Sequence, residues 1–266
     1  MQKTQIKKYQ QTYLQQLIVK SNLKKIVKTL SKEKIKKINK IENFQNFRKL
    51  VKKRKNFLEY FYEKSKIISK NENVTIYEAV QILTNQKVAI KKLKKIPKEI
   101  KKIKNEIKIL QLFRNNNFII QLLEYFEDQK YYYLIFEYAS QGDLVEIINK
   151  IELNNFQLRT VLFQILIALE QVHRKNVVHR DLKLDNILMD SKNRIKLIDF
   201  GISCIGFFPK DSQGTPNYIS PEALNPSLQC TYKSDLWSFG VVAYILAFKQ
   251  CPFYSQDKDE LYDMIL

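Results

Sequence analysis

Between residues 14 and 30 the apolar side chains Leu14, Leu17, Ile18, Leu23, Ile26, Val27 and Leu30 recur at helical spacing, with Gln and Lys at most positions between them. This pattern predicts an amphipathic, basic helix. Ile35, Ile38 and Ile41 continue the spacing, Phe44, Phe47, Leu50 and Val51 lead into the cluster KKRK at residues 52–55, and no Gly or Pro interrupts residues 1–66. Further along, the period changes. Over residues 87–90 the β-branched Val88 and Ile90 alternate with Lys87 and Ala89, the pattern of a strand. Ile103, Ile107 and Leu110 return to helical spacing, an apolar helix is predicted over residues 161–172, and residues 187–189 read as an apolar turn. The longest apolar run, residues 239–248, is about half of the roughly 20 residues needed to cross a bilayer. No internal repeat is found.

Composition changes this picture in one respect. Among 266 residues, 45% are hydrophobic and 12% aromatic, which excludes a wholly disordered polymer. The net charge of +19 would by itself suggest a nucleic-acid or anionic-membrane partner. That charge is unevenly placed: residues 1–66 carry 20 basic and 4 acidic side chains, residues 67–266 carry 26 and 23. The two parts therefore need separate readings. For the basic arm an anionic membrane, a calmodulin-type protein and nucleic acid are open, beside a helix whose apolar face packs on the domain that follows.

Cys204, Cys230 and Cys251 make neither a disulfide framework nor a metal-type pair, which suggests a reducing compartment. His173 and His179 leave little for a transition metal, whereas hard cations held by carboxylates stay open. The start, MQKTQIKKYQ, runs on into glutamines rather than an apolar signal core. The expectation is a soluble protein without signal peptide or transmembrane segment, cytoplasmic or nuclear.

The informative stretch is HRDLKLDN at residues 179–186, followed by Asp199-Phe200-Gly201. After it come GTPNYISPE at residues 214–222 and DLWSFG at 235–240; before it come VAIK at 88–91 and EIKIL from Glu106. Six motifs in this order resemble the eukaryotic protein kinase family over about residues 66–266. Phosphoryl transfer needs a positioned hydroxyl and cations that neutralise developing charge more than it needs covalent chemistry. Two separated carboxylates can divide that labour. The resemblance implies that Asp181 orients the substrate hydroxyl, Lys183 touches the migrating phosphoryl group, and Asn186 with Asp199 holds Mg²⁺. Lys91, on the predicted strand, would otherwise be solvated. In the family a glutamate corresponding to Glu106 fixes this lysine against the α- and β-phosphates of ATP. Glu99, just after Pro97, lies too close to the strand to be the better partner.

The form HRDLKxxN together with Thr215 resembles the serine/threonine-specific pattern. The positions matching the family's purine-lining residues are Ile68, Ile76, Ala89 and Leu188, all apolar, as stacking a flat ring requires. YYYLIFEYASQGDL at residues 131–144 resembles the fifth strand and interlobe hinge, with Phe136 at the back pocket, backbone groups of Glu137 and Ala139 toward adenine, and Asp143 near the ribose. Arg180 matches the arginine that pairs with a phosphate on the activation segment, for which Ser212 is the candidate, and Thr215 on the same segment is counted with these regulatory residues. Asp211, four positions before Thr215, stands where it either supplies a built-in single charge or is an ordinary loop acid. Asp143 and Asp185 match positions that meet arginines of a basic peptide in some relatives. The run over residues 232–253 looks most like calcium/calmodulin-dependent kinases, although no calcium-binding loop is present and GTPNYISPE also resembles polo-like kinases.

Two departures stand out. The usual G-x-G-x-x-G falls on Ser69, Asn71 and Val74, none of them glycine. Side chains there restrict positive φ and keep backbone N–H groups from phosphates, so weaker ATP binding is expected. Secondly, family members continue into further helices, one of which carries an arginine that pairs with the residue matching Glu222. The last arginine here is Arg194, so Glu222 is expected to be a costly unpaired carboxylate, and either the chain is a fragment or the larger lobe is incomplete and marginal.

The expected fold is α+β and two-lobed: a basic helical extension over 1–65, a smaller lobe over 66–138 built on a five-stranded antiparallel sheet with one key helix, and a mostly helical lobe over 139–266. The expected reaction is transfer of the ATP γ-phosphoryl group to Ser or Thr of a protein substrate, with a basic peptide favoured. The rival is a pseudokinase that serves as a binding module. No sequence-specific nucleic-acid binding is expected, because no reading module is recognised.

Overall fold

The computed structural model describes residues 62–81, 84–206, 213–225, 227–228 and 231–266. The predicted basic helix, the KKRK cluster, Asp211 and Ser212 lie outside the described residues. The five strands β1 (Tyr62–Lys70), β2 (Val74–Gln81), β3 (Gln86–Lys94), β4 (Leu122–Glu127) and β5 (Tyr131–Glu137) form one sheet in the order β1-β2-β3-β5-β4. Strands β1/β2 and β2/β3 pair antiparallel.

The alternation read at residues 87–90 is real, since Val88 and Ile90 are buried while Lys87 is exposed and Ala89 and Lys91 are half-buried; beyond it the order breaks, with Lys92 half-buried and Leu93 buried. Lys92 places its ammonium 3.9 Å from the centroid of the Tyr131 ring. Strand β1 starts at Tyr62, ahead of residue 66, because an edge strand can be almost wholly polar. Apart from Tyr62 its side chains are exposed, and Lys64, Lys66 and Lys70 lie along an edge that no other described strand pairs. Two register shifts, at Lys64/Lys66 and Ile67/Ser69, further hide the alternation. Glu78 is buried on β2 and takes Lys87 at 2.9 Å and Lys66 at 3.6 Å.

By compactness the described residues divide into two units, residues 62–93 with Phe126–Tyr133, and Lys94–Tyr125 with Leu134–Leu266. The second unit holds the helices α1 (Pro97–Leu112), α2 (Leu144–Lys150), α3 (Asn155–Arg174), α4 (Pro221–Leu224), α5 (Tyr232–Phe248) and α6 (Lys258–Ile265). Pro97 opens α1, where its missing N–H costs nothing. Asn154 and Gln157 close a reciprocal capping box on α3, whose Val161, Ile165, Ala168, Leu169 and Val172 form one buried stripe. Helix α3 packs against α5, which buries Val241, Val242, Ile245 and Leu246. A second cluster joins Ile219 and Ala223 to Leu261 and Ile265 of α6. No described helix is long and apolar enough to cross a membrane.

Four short strands complete this unit: β6 (Val177–Val178), β7 (Ile187–Met189), β8 (Ile195–Leu197) and β9 (Cys204–Ile205). Residues 187–189, read from sequence as a turn, are a strand paired with β8. Three residues are too few to display a period, and the pairing partner supplies the conformation.

Helix α5 begins at a second capping box, Thr231 with Ser234, which places Asp235 in the first turn. The Asp235 side chain is 1% exposed. It accepts three hydrogen bonds: from the backbone N–H of His179 at 2.9 Å, the backbone N–H of Arg180 at 2.8 Å, and His173 Nε2 at 2.8 Å. Removing the carboxylate orphans two buried backbone donors, each worth about 1–3 kcal/mol. Asp235→Ala is therefore expected to lower unfolding free energy by about 3 kcal/mol or more, and Asp235→Asn, which keeps one acceptor oxygen, by less. Urea unfolding of the two variants against the parent chain checks both the size and the order.

Candidate active site

Two short ladders hold the loops that carry the chemistry. Strands β6 and β9 pair Val177 with Ile205 and Val178 with Cys204, while β7 and β8 pair Ile187 with Leu197. The segment 179–186 thus starts on one ladder and ends on the other, and so does the segment 198–203. At the exit of the β7/β8 ladder the Ile198 N–H donates to Asn186 O at 2.9 Å. Asn186 and Asp199, thirteen positions apart in sequence, therefore leave the same ladder end.

Asp181 is the centre of the first loop. Its Oδ1 accepts from Thr215 Oγ1 at 2.7 Å, its Oδ2 accepts from Asn186 Nδ2 at 2.9 Å, and Lys183 Nζ lies 3.2 Å from Oδ2. Lys183 also donates to Thr215 Oγ1 at 2.8 Å. Asn186 Nδ2 makes a further bond to the Asp181 carbonyl at 2.8 Å, which fixes the amide and turns its oxygen away from Asp181. The Asp181 side chain keeps 17% exposure, so the carboxylate is fixed yet reachable. Thr215 was placed by sequence among regulatory positions and as a specificity mark; it sits directly on Asp181.

Two residues of these loops hold strained backbone. Arg180 has φ +71° and Asp199 φ +63°, both left-handed. Asp235 holds the first of these, while Gly201 N approaches Asp199 Oδ1 at 3.4 Å in the second. His179 is fully buried; its Nδ1 accepts from Asp181 N at 3.3 Å, which leaves the proton on Nε2 for Ile198 O at 2.9 Å. Phe200 is fully buried and lies edge-on to His179, with ring centroids 4.8 Å apart. Ser203 Oγ donates to His179 O at 2.9 Å, and Asn105 of α1 donates to Ser203 O at 2.7 Å. Arg180 NH1 reaches Ile202 O at 3.2 Å. Asp235, His173 and Asn105 were not singled out from sequence; Asp235 was visible only as the first letter of DLWSFG.

The predicted nucleotide residues divide between the two units. In the second unit Glu106 is buried on α1 beside Ile103, Ile107 and Leu110. Glu99, in the first turn of α1, faces Lys102 at 3.6 Å. Phe136 is buried on β5. The Glu137 N–H is engaged by Gln121 O at 3.1 Å. The Glu137 side chain takes Gln121 N at 2.9 Å and the buried Lys196 at 2.8 Å, a pairing that sequence reading missed because Lys196 lies far away on β8. Ala139 and Leu188 are half-buried, and Asp143 bridges to Leu188. Asp143 caps α2 by accepting from Glu146 N at 2.8 Å. Burial first, then the neighbouring Glu146 and Asp185 charges, raise its carboxyl above the usual range. Burial, with Asp185 next, pushes the Tyr218 phenol up to about 12.

In the first unit, Lys91 lies opposite Ile76, and Ser69 also pairs with Ile76 from the other side. Ile68 and Ser69 are exposed; Val74, Ile76 and Ala89 are half-buried. Asn71 Oδ1 accepts from the N–H of Asn73 at 2.9 Å and of Val74 at 2.7 Å. None of residues 71–74 has positive φ, so this hairpin closes without calling on glycine's conformational range.

The expectation of an unpaired buried Glu222 is corrected. Glu222 is half-buried and accepts from Ser234 Oγ at 2.7 Å. It lines a groove together with Leu228, Thr231, Tyr232, Leu236 and Trp237.

Residues 62–266 match the family model described as protein kinase domain. The chain is 35% identical over 212 residues to a probable serine/threonine-protein kinase KIN1 homolog of Enterocytozoon bieneusi, covering 77% of this chain and 35% of that protein. It is 38% identical over 192 residues to the carbon catabolite-derepressing protein kinase of Secale cereale, covering 68% of this chain and 38% of that protein. Over 188 residues it is 35% identical to protein kinase C delta type of Homo sapiens, with 66% and 27% covered. The chain thus spans roughly a third of the length of these relatives. The matched span runs from the first strand of the sheet through α6 and takes in every motif read from the sequence, and on these grounds the chain belongs to the eukaryotic protein kinase family.

Proposed function

We propose that this chain is a protein serine/threonine kinase that transfers the γ-phosphoryl group of ATP to a Ser or Thr hydroxyl of a protein. The observation that carries this reading is the Asp181 carboxylate held between Thr215, Asn186 and Lys183 while still reachable from solvent. In the step, the substrate hydroxyl oxygen forms a bond to the γ-phosphorus, the β–γ bridging bond breaks, and ADP leaves. Asp181 orients the hydroxyl and takes its proton. Lys183 offsets charge on the migrating group, and Lys91 binds the α- and β-phosphates. The Glu137 carbonyl and Ala139 N–H meet adenine, and Ile68, Ile76, Ala89 and Leu188 line the ring.

Asn186 and Asp199 suit Mg²⁺. The Asn186 amide oxygen is turned away from Asp181 by the two bonds of its nitrogen, and Asp199 adds a carboxylate from the same ladder end. Oxygen donors this few fit an ion that completes its shell with phosphates and water. The cation would supply neutralisation of phosphate charge.

The acids Asp143, Glu146 and Asp185 favour a basic peptide, with Asp185 and Glu146 exposed. Arg180, Asp211, Ser212 and Thr215 are the proposed regulatory set, and the basic arm is proposed to meet an anionic membrane, a calmodulin-type protein or the kinase domain itself. A second reading, a pseudokinase acting as a binding module, is favoured by one observation, the glycine-free hairpin whose tip N–H groups are already engaged.

Asp181→Asn is expected to lower phosphoryl transfer to a mixed basic peptide by about 10²–10⁴-fold while nucleotide affinity changes little. Radiolabelled phosphate transfer, with nucleotide affinity measured separately, checks it; transfer that survives the substitution sinks the reading, and binding without transfer in the parent chain supports the pseudokinase. Thr215→Val deprives Asp181 of a donor and Lys183 of an acceptor, so turnover is expected to fall about tenfold at unchanged nucleotide affinity.

A further inference from the structure

The turn between β1 and β2 carries its own acceptor. Asn71 Oδ1 gathers the N–H groups of Asn73 and Val74, and the Asn71 N–H donates to Val74 O at 2.9 Å. Successive backbone N–H groups that converge on one point form a concavity suited to a phosphate oxygen. In this hairpin that point is filled by a carboxamide oxygen of the same chain. Two further acceptors stand beside it: the exposed Glu72 at the tip and Asn73 Oδ1, which is buried without a hydrogen-bond partner. A phosphate arriving here meets oxygen rather than N–H.

We propose that Asn71 is an internal substitute for a nucleotide phosphate, which occupies the hairpin's donors and sets how strongly this chain prefers ATP over adenosine. This rests on the reading that the chain binds adenine nucleotide. The hairpin keeps its fold through the two Asn71 bonds, and the phosphates are left to Lys91 and to the residues that hold the cation. A phosphate can recruit the hairpin by displacing the carboxamide, exchanging two neutral hydrogen bonds for two charge-assisted ones.

The test measures binding of adenosine, ADP and Mg·ATP by titration calorimetry to the full chain and to Asn71→Gly and Asn71→Asp. Asn71→Gly removes the internal acceptor and is expected to raise the preference for Mg·ATP over adenosine about tenfold. Asn71→Asp keeps both hydrogen bonds and adds a full negative charge, so the preference is expected to fall about tenfold. If Asn71→Gly does not fold, Asn71→Asp decides alone, because it preserves the turn. A preference that stays within about twofold in the folded variants overturns the proposal while leaving nucleotide binding intact. If neither adenosine nor Mg·ATP binds to the folded parent chain, the kinase reading itself falls and the proposal falls with it.

Discussion

The arrangement of the second unit depends on one buried carboxylate. Asp235 receives the backbone N–H groups of His179 and Arg180 on its two oxygens, and Arg180 is thereby held at φ +71°. A left-handed non-glycine residue costs about 1–2 kcal/mol, whereas hydrogen bonds to a charged acceptor contribute about 1.5–3 kcal/mol each. The carboxylate wins that comparison, and the strained turn persists. From it the chain is set outward: His179, whose backbone Asp235 holds, supports Ile198 through Nε2 and Asp181 through Nδ1. The origin of this order is local, since the Thr231/Ser234 capping box decides where α5 starts and hence where Asp235 stands.

What Asp235 does for one loop, the two ladders do for both. Loops are poor at holding side chains to within fractions of an ångström unless both their ends are tied to rigid elements. Here β6/β9 ties the start of segment 179–186 to the end of 198–203, and β7/β8 ties the remaining two ends together. Phe200, fully buried against His179, removes the remaining freedom of the second segment. Asp199 can then take a left-handed φ that would not persist in an untethered loop.

The parts legible in the sequence are those whose side chains are dictated by chemistry: Asp181, Lys183, Asn186 and Asp199 stand in short motifs, and the β3 alternation and the α3 stripe follow from burial on one face. The parts missed are relations rather than residues. Thr215 reaches Asp181 across 34 positions, Lys196 reaches Glu137 across 59, and Asp235 reaches His179 across 56. No local period encodes such distances. Strand β1 escaped notice ahead of residue 66 for the opposite reason, because an exposed edge strand has no apolar face to display. Glu222 was misjudged because its cost was reckoned for a fully buried carboxylate, whereas it is half-buried and Ser234 supplies a donor.

The hairpin of the first unit separates two demands that a glycine-rich loop meets at once. One is closure of the β1/β2 turn, the other is presentation of free N–H groups. Closure here uses no positive φ at residues 71–74, and a side-chain amide does what a backbone carbonyl would otherwise do for Val74. Glycine is therefore unnecessary for the fold of this turn. The same amide that makes the turn stable without glycine engages the Asn73 and Val74 N–H groups, so on the proposed reading stability of the hairpin and its grip on phosphate would be opposed at a single residue. In the second unit no such opposition exists: the bonds that orient Asp181 and Asn186 leave the Asn186 amide oxygen turned outward and the Asp181 carboxylate within reach. On the proposed reading, the loss of glycine would fall on how nucleotide phosphates are held, while the bonds around Asp181 and Asn186 are ones the hairpin does not share.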